Sequence, residues 1–247
     1  TLEVAYVAQG AGSGSFNFNG GTLKAASNHD GTNAFMSGLG TATVLSGGAV
    51  IDTNGNAADV LITQSLLDGG GGGGLTKNGL GTLVLSGTSA YTGATVVNAG
   101  TLVVNGALSG TSGVSVLTGG AIGGTGSIAG SLTLGSGAQL TFDPSNPLTA
   151  SGLVTFTSPS TFGIDDILGV SSGTPAGTYT LIAGTVDTTG LANLGPTNAY
   201  DLGSGVSAYF QSGSLEMVVV PEPATVTLTG LAAATVWFAR RRLRRQS

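Results

Sequence analysis

Through most of this chain, apolar residues alternate with polar or small ones in short runs. Leu83 pairs with Leu85, Leu102 with Val104, Val114 with Val116, Leu132 with Leu134 and Leu140 with Phe142. A period of two places each pair on one face of a β-strand, with Thr, Ser or a second Val on the other. The runs sit in blocks of recurring form: "GGTLKA" at Gly20, "GGAVIDTNG" at Gly47, "LGTLVLSG" at Leu80, "AGTLVVNG" at Ala99, "GGAIGG" at Gly119 and "AGSLTLGSG" at Ala129. They read as imperfect copies of one unit. The intervals, 19 residues from Gly81 to Gly100 and 30 from Gly100 to Gly130, are too long for hairpins with two-residue loops. They predict a chain that completes a coil of several short strands before stacking on its previous turn. At about 20 residues per coil, such a parallel β-solenoid has about nine or ten coils and is on the order of 45 Å long.

Composition supports strands over disorder. Glycine takes 45 of 247 positions and charged residues only 8%. Disordered chains are poor in β-branched residues and rich in charge, whereas Val, Leu, Ile and Thr recur throughout this one. Asn-Gly at Asn54, Asn78 and Asn105 suits corners, because Gly and Asn adopt positive φ at low steric cost. Stacked Thr and Asn are expected to form ladders between coils. No proline precedes Pro144, and then Pro144, Pro147, Pro159, Pro175 and Pro196 follow. Residues 1–142 therefore read as the solenoid. Residues 143–217 read as a less regular, strand-rich closing region, in which Phe156, Phe162, Tyr179, Tyr209 and Phe210 are candidates for an end cap.

Charge excludes one class of partner. Residues 1–239 hold two lysines, Lys24 and Lys77, against all twelve carboxylates, which argues against nucleic acid, since phosphate binding needs clustered Lys and Arg. With no cysteine, neither a disulfide framework nor a thiolate metal site can form.

The segment "GGGLTKNGLGTLVLSGTSAYTGATVVNAGTLVVNG", residues 72–106, has Leu-Thr-Lys, Gly-Thr-Leu, Leu-Ser-Gly, Tyr-Thr-Gly and Gly-Thr-Leu in order. It resembles the autotransporter-associated β-strand repeat. "FNFNGGTLKA" and "GGAVIDTNGNAADVLITQSL" are similar to the segments that precede that repeat. The resemblance implies a right-handed parallel β-helix of the passenger type. No C-terminal outer-membrane barrel pattern follows, which argues against transport by a barrel of the chain's own.

The last residues read differently. Residues 224–239 form an uncharged run, and five of the seven basic residues, Arg240, Arg241, Arg242, Arg244 and Arg245, follow it. As a helix the run spans about 24 Å, short against a hydrocarbon core of roughly 30 Å, but Val218 to Val220 and the arginine stems extend its reach. This predicts a single C-terminal transmembrane helix within residues 218–247, with the arginines cytoplasmic and residues 1–220 outside. The alternative is a terminal helix packed on the solenoid. Val220, Pro221, Glu222, Pro223, Ala224 and Thr225, followed by the apolar run and the arginines, resemble the PEP-CTERM sorting signal of Gram-negative and related environmental bacteria. That resemblance implies an exported precursor held transiently at the inner membrane, an exosortase-type processing enzyme as partner, and delivery to the cell surface or extracellular matrix.

Candidate chemistry is sparse. His29 is the single histidine, so no His-based metal cluster or histidine dyad can form. "SNHDGTN" at Ser27 resembles half a calcium loop but lacks the later acidic ligand, and a polar turn is the expectation. Asp165 and Asp166 are adjacent, and in a strand they point to opposite faces, unlike a glycosidase carboxylate pair. Gly69 to Gly74 lacks the Gly-Lys-Ser/Thr that ends a phosphate loop and reads as a flexible loop. Tyr91 is expected to pack at a corner and Trp237 to anchor the span at the interface. No catalytic, cofactor or metal residue is predicted. Three functions follow in order of preference. First is an exported structural solenoid with end-to-end fibre formation as its extension. Second is an adhesin or polysaccharide-binding module, and third is an enzyme.

Overall fold

The computed structural model describes residues 1–10, 13–157, 161–211, 213 and 215–221. They form an all-β, right-handed parallel β-solenoid, and among the described residues the helical elements are two single 3-10 turns, Ile164–Asp166 and Pro196–Asn198.

Each coil contributes one short strand to each of three faces. The first face is an eight-stranded parallel sheet: Leu2–Val4, Thr22–Ala25, Ala49–Asp52, Leu75–Asn78, Thr95–Val97, Gly113–Val116, Ser131–Leu134 and Val154–Phe156. The second is also eight-stranded, running from Val7–Ala8 through Thr82–Leu85 and Gly100–Val104 to Ile167–Leu168. The third face begins as a three-stranded sheet, Ser15–Phe18, Thr41–Val44 and Leu66–Asp68. It resumes at Thr88–Ser89 and stacks in parallel up to Gly177–Ala183. There the direction changes: Gly177–Ala183 pairs antiparallel with Leu215–Pro221, which pairs with Val206–Gln211, and that in turn with Tyr200–Gly203.

The alternation read from the sequence sets the core. Leu83, Leu85, Leu102, Val104, Val114, Val116, Leu132, Leu134 and Leu140 are all buried, while Phe142 is half-buried against them. Inward residues stack coil on coil, as in the first-face column Leu2, Leu23, Ile51, Lys77, Val97, Val116, Leu134 and Phe156. Phe156, Phe162 and Phe210 continue the core, with ring centroids 5.0 and 6.1 Å apart along the series, and Tyr179 meets Phe142 edge-on at 5.2 Å.

Two expectations are corrected. Eight coils carry first-face strands, not nine or ten, because the steps from Leu23 to Ile51 and on to Lys77 consume more chain than those from Lys77 to Val97 and Val116. The repeated blocks are also not equivalent in space. "GGTLKA", "GGAVIDTNG" and "AGSLTLGSG" lie on the first face, but "LGTLVLSG", "AGTLVVNG" and "GGAIGG" lie on the second. Gly100 accordingly stacks on Gly120, and Gly130 precedes a strand of another face. Corner chemistry holds at Asn54-Gly55, where both residues take positive φ, 53° and 65°.

Among the described residues no helix is long and apolar enough to cross a membrane. Val218 to Val220, expected to lengthen the span, instead end the last strand with Pro221, Leu215–Pro221, and Val218 and Val219 are buried there. The expected transmembrane helix, Glu222, Pro223, Ala224, Thr225, Trp237 and the five arginines lie outside the described residues.

Candidate functional site

Charge divides the solenoid. From Leu75 to Phe142 the chain holds no carboxylate, and its one ionisable cation, Lys77, is buried. Carboxylates lie before this belt, at Glu3, Asp30, Asp52, Asp59 and Asp68, and after it from Asp143 onward. The outward side of the first face in the belt is a stack of Thr76, Val96, Ser115 and Thr133, continued by Thr155. Ladders form as expected: Thr133 and Thr155 share a hydroxyl bond of 3.1 Å, and Asn98 Nδ2 donates to Asn78 Oδ1 at 2.8 Å.

Lys77 occupies an inward position. Leu-Thr-Lys-Asn forms the strand Leu75–Asn78, and period two sends Leu75 and Lys77 to the same side, into the column between Ile51 and Val97. A lysine among Leu, Ile and Val is tolerable only if its ammonium is fully hydrogen-bonded. The aliphatic stem fills the core, and Nζ reaches the corner between the first and second faces. There it donates to Thr53 Oγ1 at 3.1 Å and to the carbonyl oxygens of Asn78, Gly79 and Ala99 at 3.0, 2.6 and 2.9 Å. These four acceptors come from three successive coils, so one cation ties them together. Burial pulls the ammonium down to about 8 from 10.5, and Asp52 acts in the opposite direction. Sequence reading treated Lys77 only as charge. Its spacing of two from Leu75, within Leu-Thr-Lys, was the signal that placed it inside.

The corner between the third and first faces holds a second buried polar group. Tyr91 is buried, as its corner placement predicted, and its hydroxyl lies 2.7 Å from Thr95 Oγ1. Thr95 Oγ1 meets Thr111 Oγ1 at 3.3 Å, and Thr111 Oγ1 reaches the carbonyls of Gly93 and Gly113 at 2.9 and 3.0 Å. Burial pushes the Tyr91 phenol well above its ordinary range. The glycine run ends at this corner and is packed there: a Cβ on Gly73 would fall 1.8 Å from the Leu45 carbonyl oxygen, and one on Gly74 2.0 Å from that of Ala94. The expected flexible loop is thus a close backbone crossing at its last two glycines.

The catalytic candidates are not brought together. Asp165 and Asp166 lie in the 3-10 turn Ile164–Asp166, not in a strand, and Asp166 Oδ2 accepts the Gly163 N–H at 2.9 Å. Burial raises the Asp166 carboxyl above its ordinary value, the Gly163 bond opposes this, and Asp165 adds a smaller upward push. "SNHDGTN" forms the polar turn expected of it, with the His29 N–H donating to the Ala26 carbonyl and the Thr32 N–H to Asp30 Oδ1. Among the described residues no group of three or more His, Cys, Asp or Glu is placed to hold a metal ion. The open hollows along residues 1–39 are lined by apolar, amide and hydroxyl side chains such as Phe16, Asn17 and Gln9.

Lys77 and Tyr91 themselves lie within a stretch that a family model matches, while their partners Thr53 and Thr111 lie outside it: the passenger-associated transport repeat matches residues 75–104. The resemblance read over residues 72–106 thus has a match centred on the same strands. No curated protein and no solved structure matches the chain. A β-solenoid carrying a passenger-associated transport repeat fits an exported, passenger-like protein of the cell surface.

Proposed function

We propose that this protein is a structural β-solenoid of the bacterial cell surface or extracellular matrix, delivered through its C-terminal segment, and not an enzyme. The observation that supports this reading most is the belt from Leu75 to Phe142, where stacked parallel strands carry Thr, Ser, Asn and Gly outward with no exposed charge. Such a face carries hydroxyls and amides but no carboxylate, imidazole or exposed amine beside them. The eight stacked coils together make a stiff rod, roughly 35–40 Å long at one strand spacing per coil. The role is mechanical and interfacial, and end-to-end association into fibres is its extension.

The sorting component of the proposal rests on Val220, Pro221, Glu222, Pro223, Ala224 and Thr225 and on Arg240, Arg241, Arg242, Arg244 and Arg245. In this scheme the tail holds the exported precursor at the inner membrane until an exosortase-type enzyme processes it. Intact mass and C-terminal peptide analysis of native protein from membrane and surface fractions tests it. Surface material ending near Val220 is expected; retention of Arg240 to Arg245 in every molecule overturns the sorting scheme and leaves a tethered rod.

A second reading, an adhesin for neutral polysaccharide, is favoured by the same uncharged hydroxyl-bearing face. Binding on a glycan array that persists in high salt supports it, since no ion pair is available to the belt; failure across a broad neutral panel removes it.

A further inference from the structure

One buried titratable group has no part in that proposal. His29 lies in the corner of the second coil between the first and second faces, 8% exposed, with its ring edge-on to Phe35 at 5.6 Å. Nδ1 is 3.0 Å from the carbonyl oxygen of Ala5, in the coil before, and Nε2 is 3.1 Å from that of Asp59, in the coil after. Both partners are backbone carbonyls and can only accept. A neutral imidazole has one N–H, so it bonds one carbonyl and turns a lone pair toward the other; the imidazolium has two and bonds both. We propose that His29 is a proton-operated tie across the first three coils: the protonated ring joins Ala5 to Asp59, and loss of the proton releases one of them.

The surroundings suit a cation. Asp30 follows in sequence, and hydrogen bonds from the Thr32 hydroxyl and N–H hold its carboxyl below the usual range. The other ionisable groups on the packed segments are the carboxylate of Asp59, exposed at the same corner one coil later, and the exposed phenol of Tyr6 next to Ala5. The Glu3–Lys24 pair, 3.3 Å apart, is carried by the neighbouring first-face strands. The tie strengthens as pH falls, so acidic surroundings fasten the first coils and neutral ones loosen them.

Hydrogen exchange of the full chain, corrected for intrinsic rates and compared between pH 5 and pH 8, tests this across the span over which imidazoles titrate. Expected is about tenfold faster exchange at the higher pH for amides of the first three coils relative to residues 95–142, the equivalent of one charge-assisted hydrogen bond. In His29→Gln, whose amide cannot change charge, that difference should vanish. Because this is the single histidine, the 15N signals of its imidazole in the unmodified protein read the proton directly, whether or not the variant folds. A ring that titrates with no change in protection, or a pH dependence that survives in His29→Gln, overturns the proposal.

Discussion

The corner between the first and second faces is built in two ways along the rod. In the early coils side chains add to the backbone turn bonds from the His29 N–H to Ala26 and from the Asn56 N–H to Thr53: the His29 ring reaches Ala5 and Asp59, Asn56 Nδ2 donates to the Ala26 carbonyl at 3.2 Å, and Lys77 closes the stretch from Thr53 to Ala99. In the sixth and seventh coils the same corner closes mainly on backbone bonds, from the Gly120 N–H to the Leu117 carbonyl and from the Ala138 N–H to the Gly135 carbonyl. Thr118 Oγ1, donating to the Ser136 carbonyl at 2.6 Å, is the side-chain addition there. The difference follows from corner length. A wide corner leaves carbonyls that a tight turn would satisfy, and a buried carbonyl must find a donor from somewhere. Where it is found decides how fragile that part of the rod is.

Breaking the early half should cost most at Lys77. Lys77→Met keeps the stem but takes the ammonium donor from the Gly79 and Ala99 carbonyls, while the Asn78 carbonyl keeps the Thr53 N–H and hydroxyl; a loss of about 3–5 kcal/mol is expected in a denaturant titration, with the slope checked for two-state behaviour. A cost below about 1 kcal/mol would mean that water or a relaxed corner satisfies them.

The pH dependence sharpens the same contrast. An unfolded Lys77 holds its proton up to about 10.5, while the folded one releases it near 8. Between these values the unfolded chain binds more protons, so stability should rise with pH there, by on the order of 1 kcal/mol per unit, and be flat below 8. Subtracting the profile of Lys77→Met isolates this slope, which has the opposite sign to that expected of His29 in the acidic range.

The later half should break at its turns. Gly119 has φ +80° and open space around the position of a Cβ, so Gly119→Ala tests conformation alone, with a stability loss of about 1–2 kcal/mol expected, read as a lowered thermal midpoint. The smallest effect belongs to Thr118→Val, which removes one exposed side-chain bond from a corner that the backbone already closes; less than about 1 kcal/mol is expected by the same assay. If Thr118→Val instead rivals Lys77→Met, the two halves are not built differently.

Much of the fold was legible along the chain because period two needs no tertiary knowledge: a residue two places from a buried neighbour in a strand faces the same way. That logic reaches Leu83 with Leu85, and it reaches Lys77 from Leu75, though the charge obscured it. The candidate site was less legible. Nothing in "SNHDGTN" announces that the His29 ring lies between carbonyls of two other coils, because those partners are backbone atoms, 24 and 30 residues away, that carry no side-chain signature.

The sequence by itself determined the short inward-facing strands, the Gly and Asn corners, the near absence of positive charge from residues 1–239 and the place of the passenger-type repeat. Only the tertiary structure decided which face each repeated block occupies, how many coils the chain completes, and which carbonyls Lys77 and His29 join. The physical reason is that alternation defines the two sides of a strand locally. The register between coils depends instead on the summed length of every corner before it, and a change of one corner moves all later residues to new neighbours.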